Sequence, residues 1–189
     1  MSQLVADAFR LALELHGAQS RKGSGVPYIT HLMAVASLVG DYGGTPEQMA
    51  AAFLHDAVED QGGRATLDRI RAEFGDEVAG HVMACSDTDA KPKPPWNERK
   101  AAFVRHAKSV APEAKLIIAA DKLHNVRCLT TLLRAEGPAA WDKFNGGRDG
   151  TLWYHAEMVR ALATDWPHPI LADLADAMDI FHRLALAQD

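Results

Sequence analysis

Apolar positions recur with the spacing of helices along almost the whole chain. Leu4, Ala8, Leu11 and Leu15 share one face of an opening segment, and Leu32, Val35, Ala36 and Val39 repeat the pattern after the loop SRKGSGVPYIT. Thr45, with Pro46 at the first helical position and Gln48 three residues on, is a start signal of the capping-box kind. It predicts a helix running through AAFLHDAVED. In TLDRIRAEFG, Leu67, Ile70 and Phe74 form a stripe that Gly75 brings to a stop. The polar, proline-rich segment SDTDAKPKPPWNE reads as a surface loop or a lid, with helix resuming at Glu98. AKLIIAADKLHNVRCLTTLL then predicts a long, mostly buried helix, and GTLWYHAEMVRALA and ILADLADAMDIFHRLALAQ two more, parted by the Trp166-Pro167-His168-Pro169 break. No segment alternates with the period of a strand, and no repeat or low-complexity tract is present. The pattern predicts an all-α chain, with residues 1–189 forming one domain, an irregular bundle of about eight helices rather than a four-helix one.

Composition narrows the function classes. Nearly half of the 189 residues are apolar and about a quarter charged, the balance of a globular protein. The formal net charge of −5, with no run of lysine and arginine, lacks the electrostatic footprint of a protein that binds duplex nucleic acid. The opening MSQLVADAFRLALELHG has neither a basic start nor an unbroken apolar run, and no window reaches the ~18 apolar residues of a membrane span. A cytoplasmic protein without membrane partners is the expectation. Cys85 and Cys128 are too few for a disulfide framework and read as buried thiols.

One stretch breaks the apolar rule. If AAFLHDAVED is one helix, His55, Glu59, Asp56 and Asp60 fall at roughly 0°, 40°, 100° and 140° around its axis, a contiguous polar arc. Ala50, Phe53, Leu54, Ala57 and Val58 lie opposite and face the core. A solvated face would ordinarily explain such an arc, but here a histidine and three acids stand with no lysine or arginine among them. Like charges crowded in this way repel unless a cation sits between them. An imidazole and a carboxylate side by side suit manganese, iron or zinc.

Two further ligand candidates lie elsewhere. His31 begins the helix after the glycine-containing loop, and Asp121 follows a run of apolar residues in LIIAADKLHN, where burial without a partner would be costly. Asp121 could instead pair with Lys122 or Arg127. Together His31, His55, Asp56 and Asp121 would make a two-His, two-Asp site. Arg21 and Lys22, beside Gly23 and Gly25, offer cations to an anionic ligand, a guanidinium binding phosphate bidentately and an ammonium acting as a point charge. Asn125 lies one turn after Asp121 and points the same way. Trp153 and Tyr154 read as core, and the remaining histidines, His124 among them, receive no role.

The order H…HD…D resembles that of the HD-domain metal-dependent phosphohydrolases. RKGSGVPYITHLMAVA, AAFLHDAVED, LDRIRAEFGDEVA and AADKLHNVRCL stand in the order and near the spacing of the hydrolase domain of RelA/SpoT-type alarmone enzymes, a resemblance covering about residues 5 to 165. A stand-alone small alarmone hydrolase is the nearest match, since no synthetase or regulatory domain has room. The resemblance implies hydrolysis of the 3′-pyrophosphate of (p)ppGpp to GDP or GTP and pyrophosphate, with manganese. It makes His31, His55, Asp56 and Asp121 metal ligands and sets Glu59 and Asp60 at the nucleophilic water, with the order of their roles open. Arg21, Lys22 and Asn125 match nucleotide contacts, and Arg148 matches a basic position for the 5′-phosphates. The partner implied is a small-molecule nucleotide; a homodimer is left open.

The family's threonine-rich segment with a lysine is replaced here by HVMACSDTDAKPKPPWNERK, which opens the substrate to (p)ppApp or another nucleotide 3′-pyrophosphate. A general HD-domain nucleotidase or phosphodiesterase is the rival enzyme, and a catalytically silent nucleotide-binding module the rival of another class. Retention of every motif position argues against the latter.

Overall fold

The computed structural model describes residues 2–88, 90 and 92–187; Asp89 and Lys91 of the polar loop lie outside the described residues. The elements are α1 Gln3–His16, α2 Ile29–Asp41, α3 Pro46–Leu54, α4 Ala57–Asp60, α5 Arg64–Cys85, α6 Trp96–Ser109, α7 Pro112–Glu136, a 3-10 segment Gly137–Lys143, α8 Gly147–Leu162 and α9 Ile170–Leu186. Among the described residues the extended pairing is a single bridge between Ser20 and Pro27, which pinches the loop carrying Arg21 and Lys22. The architecture is the expected all-α irregular bundle.

α7 is the central helix. It packs against α2, α3, α5, α8 and α9, and its buried residues run from Ala114 to Leu133 around most of its circumference. A helix buried on so many sides must be apolar nearly all round, so the buried Asp121 and Lys122 at its middle stand out. Against this axis α2 lays the expected row Leu32, Val35, Ala36 and Val39, all buried. The start of α3 is the expected capping box: Thr45 accepts from the Gln48 backbone N–H while the Gln48 side chain accepts from Thr45 N–H. The alanines Ala50, Ala51 and Ala52 are wholly buried and let α3 approach its neighbours closely.

Several expectations shift. The buried row of α1 is Val5, Ala8, Leu11, Ala12 and His16, with Leu4 and Leu15 on its flank. α6 begins at Trp96, two residues before the expected Glu98. Gly75 does stop the regular helix, at φ 86° and ψ 173°, but helical turns resume directly and α5 continues past the kink. Both cysteines are half-buried. Trp153 is exposed while its neighbour Tyr154 is buried.

The largest revision falls on AAFLHDAVED. α3 ends at Leu54, and His55 and Asp56 form a turn before the short α4. At Asp56, φ −95° and ψ −3° leave the helical range, so the 100° wheel does not extend through Glu59 and Asp60. His55 and Asp56 belong to a break facing α2 and α7, and the two acids to the next turn.

Candidate functional site

The break brings His55 and Asp56 against His31 of α2 and Asp121 of α7. His31 Nε2 lies 3.2 Å from Asp121 Oδ1 and 3.6 Å from Asp56 Oδ2. His55 Nε2 lies 3.1 Å from Asp56 Oδ2 and 3.7 Å from Asp121 Oδ1. Ligand atoms of His31, His55 and Asp56 all lie within 4.8 Å of one another. All four side chains predicted as ligands therefore meet at one point, delivered by three elements.

Each is held from behind. His55 Nδ1 sits 2.8 Å from the Ala52 carbonyl, which only accepts, so Nδ1 carries a proton and Nε2 is the nitrogen turned inward, where its lone pair would be free for a cation once the ring is neutral. Tyr28 Oη donates to Asp56 Oδ2 at 2.6 Å; burial, then the Asp56 charge, push its phenol above the ordinary range, so the donor stays protonated. Asp121 accepts from Lys122 Nζ at Oδ2 and from Asn125 Nδ2 at Oδ1, each at 2.5 Å.

The donor set fits a divalent cation. Both His31 Nε2 and His55 Nε2 are buried without a hydrogen bond, although carboxylates stand beside them. Burial alone would lift the carboxyls of Asp56 and Asp121, yet both are held well below the usual range, Asp56 by His55 and His31, Asp121 by Lys122 and the two imidazoles. Burial works against a charged His55, and the Asp56 and Asp121 carboxylates overcome it and raise the imidazole well above its ordinary value. The field that retains a proton there is the field a divalent ion would occupy.

Glu59 and Asp60 stand apart from this cluster and are not short of cations, contrary to the sequence reading. Lys93 Nζ from the proline-rich loop lies 2.9 Å from Glu59 Oε1 and 3.1 Å from Asp60 Oδ1. Arg99 Nη1 of α6 lies 3.0 Å from Glu59 Oε1 and also pairs with Asp87, which accepts from Lys100 Nζ at 2.6 Å. Burial and the Asp87 carboxylate push Glu59 up to about 7, against the pull of Lys100. Asp87 is itself drawn down to about 2, since Lys100 and Arg99 outweigh its burial.

A cavity of about 880 Å³ opens next to both groups, walled by Arg21, Lys22, Arg99 and Arg127 and by Trp96, Phe144 and Tyr154. Arg21 Nη2 donates to Asn125 Oδ1 at 2.6 Å, so Asn125 joins the cavity wall to Asp121. Lys22 Nζ reaches Asn145 Oδ1 at 3.0 Å. Arg148 lies in the first turn of α8, outside the residues that line this cavity. Sequence reasoning missed Tyr28, Lys93, Arg99, Asp87, Lys100 and His124. Of these only His124 carried a local signal, standing three residues after Asp121 on one helix.

A family model for the HD domain matches residues 8–152. The chain belongs to the HD-domain family. With its His/Asp cluster, this HD-domain chain implies a divalent metal ion. It is 37% identical over 129 residues to guanosine-3′,5′-bis(diphosphate) 3′-pyrophosphohydrolase MESH1 of Xenopus tropicalis, covering 67% of this chain and 69% of that protein. It is 39% identical over 132 residues to a probable guanosine-3′,5′-bis(diphosphate) 3′-pyrophosphohydrolase of Synechocystis sp., covering 68% of this chain but only 17% of that longer protein. The solved structure described as "A metazoan ortholog of SpoT hydrolyzes ppGpp and plays a role in starvation responses" superposes with a TM-score of 0.78 at 27% identity, over 95% of this chain and 96% of that one. No helix among the described residues is long and apolar enough to cross a membrane.

Proposed function

We propose that this HD-domain chain hydrolyses the 3′-pyrophosphate of an alarmone nucleotide such as (p)ppGpp, giving GDP or GTP and pyrophosphate. His31, His55, Asp56 and Asp121 hold one divalent ion, manganese in this reading. The observation that carries the proposal is the sharing of residues between cluster and cavity. Asn125 bonds Asp121 and lines the cavity, and Arg99 bonds Glu59 and lines it too. A cation-walled cavity in a chain of net charge −5 favours a highly anionic ligand. The relatives whose names specify this reaction support the substrate class.

When bound, the metal ion supplies a lowered pKa for water and polarisation of a phosphoryl oxygen. The chain's own residues do the rest. Glu59, with a carboxylate poised near neutrality, accepts the proton of the attacking water. Asp60, exposed and bonded by Gln19 Nε2 at 3.1 Å, orients that water from the outer side. Arg21 and Lys22 pair with phosphate oxygens and Asn125 steadies the ribose side, all three from the cavity wall; Arg148, outside that wall, is given the 5′-phosphates by the family resemblance alone. Lys93 and Arg99, balanced against acids in the free protein, are placed to take up the charge of the departing pyrophosphate. We further assign the chain to act in the cytoplasm as one domain without nucleic-acid partners.

The test is product analysis by anion-exchange chromatography after incubating metal-stripped protein with ppGpp or ppApp, each with and without manganese. Manganese-dependent GDP and pyrophosphate from ppGpp is the expected result, and the faster substrate sets the base preference. Release of orthophosphate instead, or no turnover of either nucleotide, would overturn the proposal.

A further inference from the structure

His124 has no part in the chemistry above, yet it stands directly behind a candidate ligand. It lies on α7 between Asp121 and Cys128, half-buried, and lines the cavity. His31 turns its two ring nitrogens to different partners. Nε2 faces Asp121 Oδ1 at 3.2 Å and Asp56 Oδ2 at 3.6 Å, while Nδ1 lies 2.8 Å from His124 Nδ1. In a hydrogen bond between two ring nitrogens, one carries the proton and the other offers its lone pair.

The direction of that bond follows from what His31 does on its other side. A ring that gives its Nε2 lone pair to a cation keeps its proton on Nδ1. His124 Nδ1 must then be the acceptor, and its own proton sits on Nε2, 3.6 Å from Cys128 Sγ. Ligating histidines usually fix this tautomer by donating to a carboxylate or a backbone carbonyl. His55 follows that rule through the Ala52 carbonyl. His31 meets a second imidazole in the same place, and that imidazole belongs to the cavity wall.

We propose that His124 is a positioning residue which, by accepting from His31 Nδ1–H, holds the His31 ring and its tautomer so that Nε2 faces the metal. The proposal rests on the reading of His31 as a ligand. It makes metal affinity depend on a residue that touches neither the ion nor the acid pair, and it ties the nucleotide cavity to the metal centre through one hydrogen bond.

Calorimetric titration of the metal-stripped protein with Mn²⁺ tests it, comparing wild type with His31→Ala, His124→Leu and His124→Asn. The asparagine Oδ1 falls near the position of imidazole Nδ1 and accepts, whereas leucine fills the space and cannot. His124→Leu is expected to weaken binding by about 10–100-fold, the cost typical of losing a partner behind a metal ligand, and His124→Asn to recover most of it. Unchanged binding in His124→Leu alongside weakened binding in His31→Ala would overturn the role of His124 alone. So would equal losses in the leucine and asparagine variants. Unchanged binding in His31→Ala would overturn the ligand reading itself. If the leucine variant does not fold, imidazole ¹⁵N spectra of the zinc-loaded wild type decide. A coupling between the two Nδ1 atoms with the proton on His31 supports the proposal, and a proton on His124 Nδ1 overturns it.

Discussion

The His/Asp cluster and the acid pair lie side by side but are built on different principles. His31, His55 and Asp121 are buried on or beside the central helices, and each is fixed by a neighbour on its own segment or on another core element. Glu59 and Asp60 ride on a four-residue helix and are balanced by Lys93, from an exposed proline-rich loop, and by Arg99 at the start of α6. The first region is a preorganised cage whose charges would be costly without a cation. In the proposed function the second trades partners: its cations neutralise acids in the free protein and would turn to phosphates when substrate arrives. Metal binding and proton transfer should therefore separate under mutation.

The largest effect should come from breaking the cage. Asp56→Ala is expected to abolish manganese binding and reduce pyrophosphate release to background, since it removes a proposed ligand oxygen and leaves Tyr28 Oη without its acceptor. Glu59→Gln should lower kcat by about 10²–10⁴-fold while manganese affinity stays within a few-fold of wild type. Single-turnover assays alongside the metal titration check both halves. With Glu59 as the proposed base and its pKa raised to about 7, the competent ionised form accumulates as pH rises. The plot of log kcat/KM against pH should climb through the acid range and flatten above about 7, and Glu59→Gln should lose this limb.

The charge lattice behind the acids should respond in stability. Asp87 is almost wholly buried between Arg99 and Lys100, so Asp87→Ala strands two cations and should cost about 3–5 kcal/mol in urea unfolding. Its carboxyl is drawn below the unfolded value, so its contribution is present above pH ~4 and is lost as pH falls toward 2. Wild type should show that acid loss on top of the share carried by Asp56 and Asp121, and the alanine variant should show a smaller one. Lys93→Ala should have the smallest effect. Its side chain is 37% exposed, and such a pair contributes about 0.2–1 kcal/mol, reduced further by salt. A large, salt-independent loss in thermal melts would show that the loop is part of the rigid framework.

The same contrast decides what was legible in the chain. Asp121 stood out because it placed a carboxylate after an apolar run, where burial alone would be costly, His55 and Asp56 because they interrupt an apolar, alanine-rich segment, and His31 was joined to them by the order H…HD…D. The helix boundaries around Thr45, Gly75 and Trp166-Pro167-His168-Pro169 were marked by capping and proline chemistry. The turn at His55 and Asp56 was not marked, for Ala57 and Val58 continue the apolar pattern and no glycine or proline announces the break. The wheel drawn through that turn placed Glu59 and Asp60 on one arc with the ligands and left them without cations. Their partners come from segments 33 to 40 residues away, a distance that local periodicity does not reach. Lys122, named from the sequence as an alternative partner for Asp121, shows what could be read at shortest range. Adjacent residues on a helix do not face each other, yet its long stem folds back to Asp121.

The most direct test of the separation is a manganese titration by calorimetry on three metal-stripped proteins: wild type, Asp56→Ala and Glu59→Gln. One binding event per chain, lost in Asp56→Ala and retained in Glu59→Gln, is the predicted result. Binding that survives in Asp56→Ala, or that disappears equally in Glu59→Gln, would contradict it.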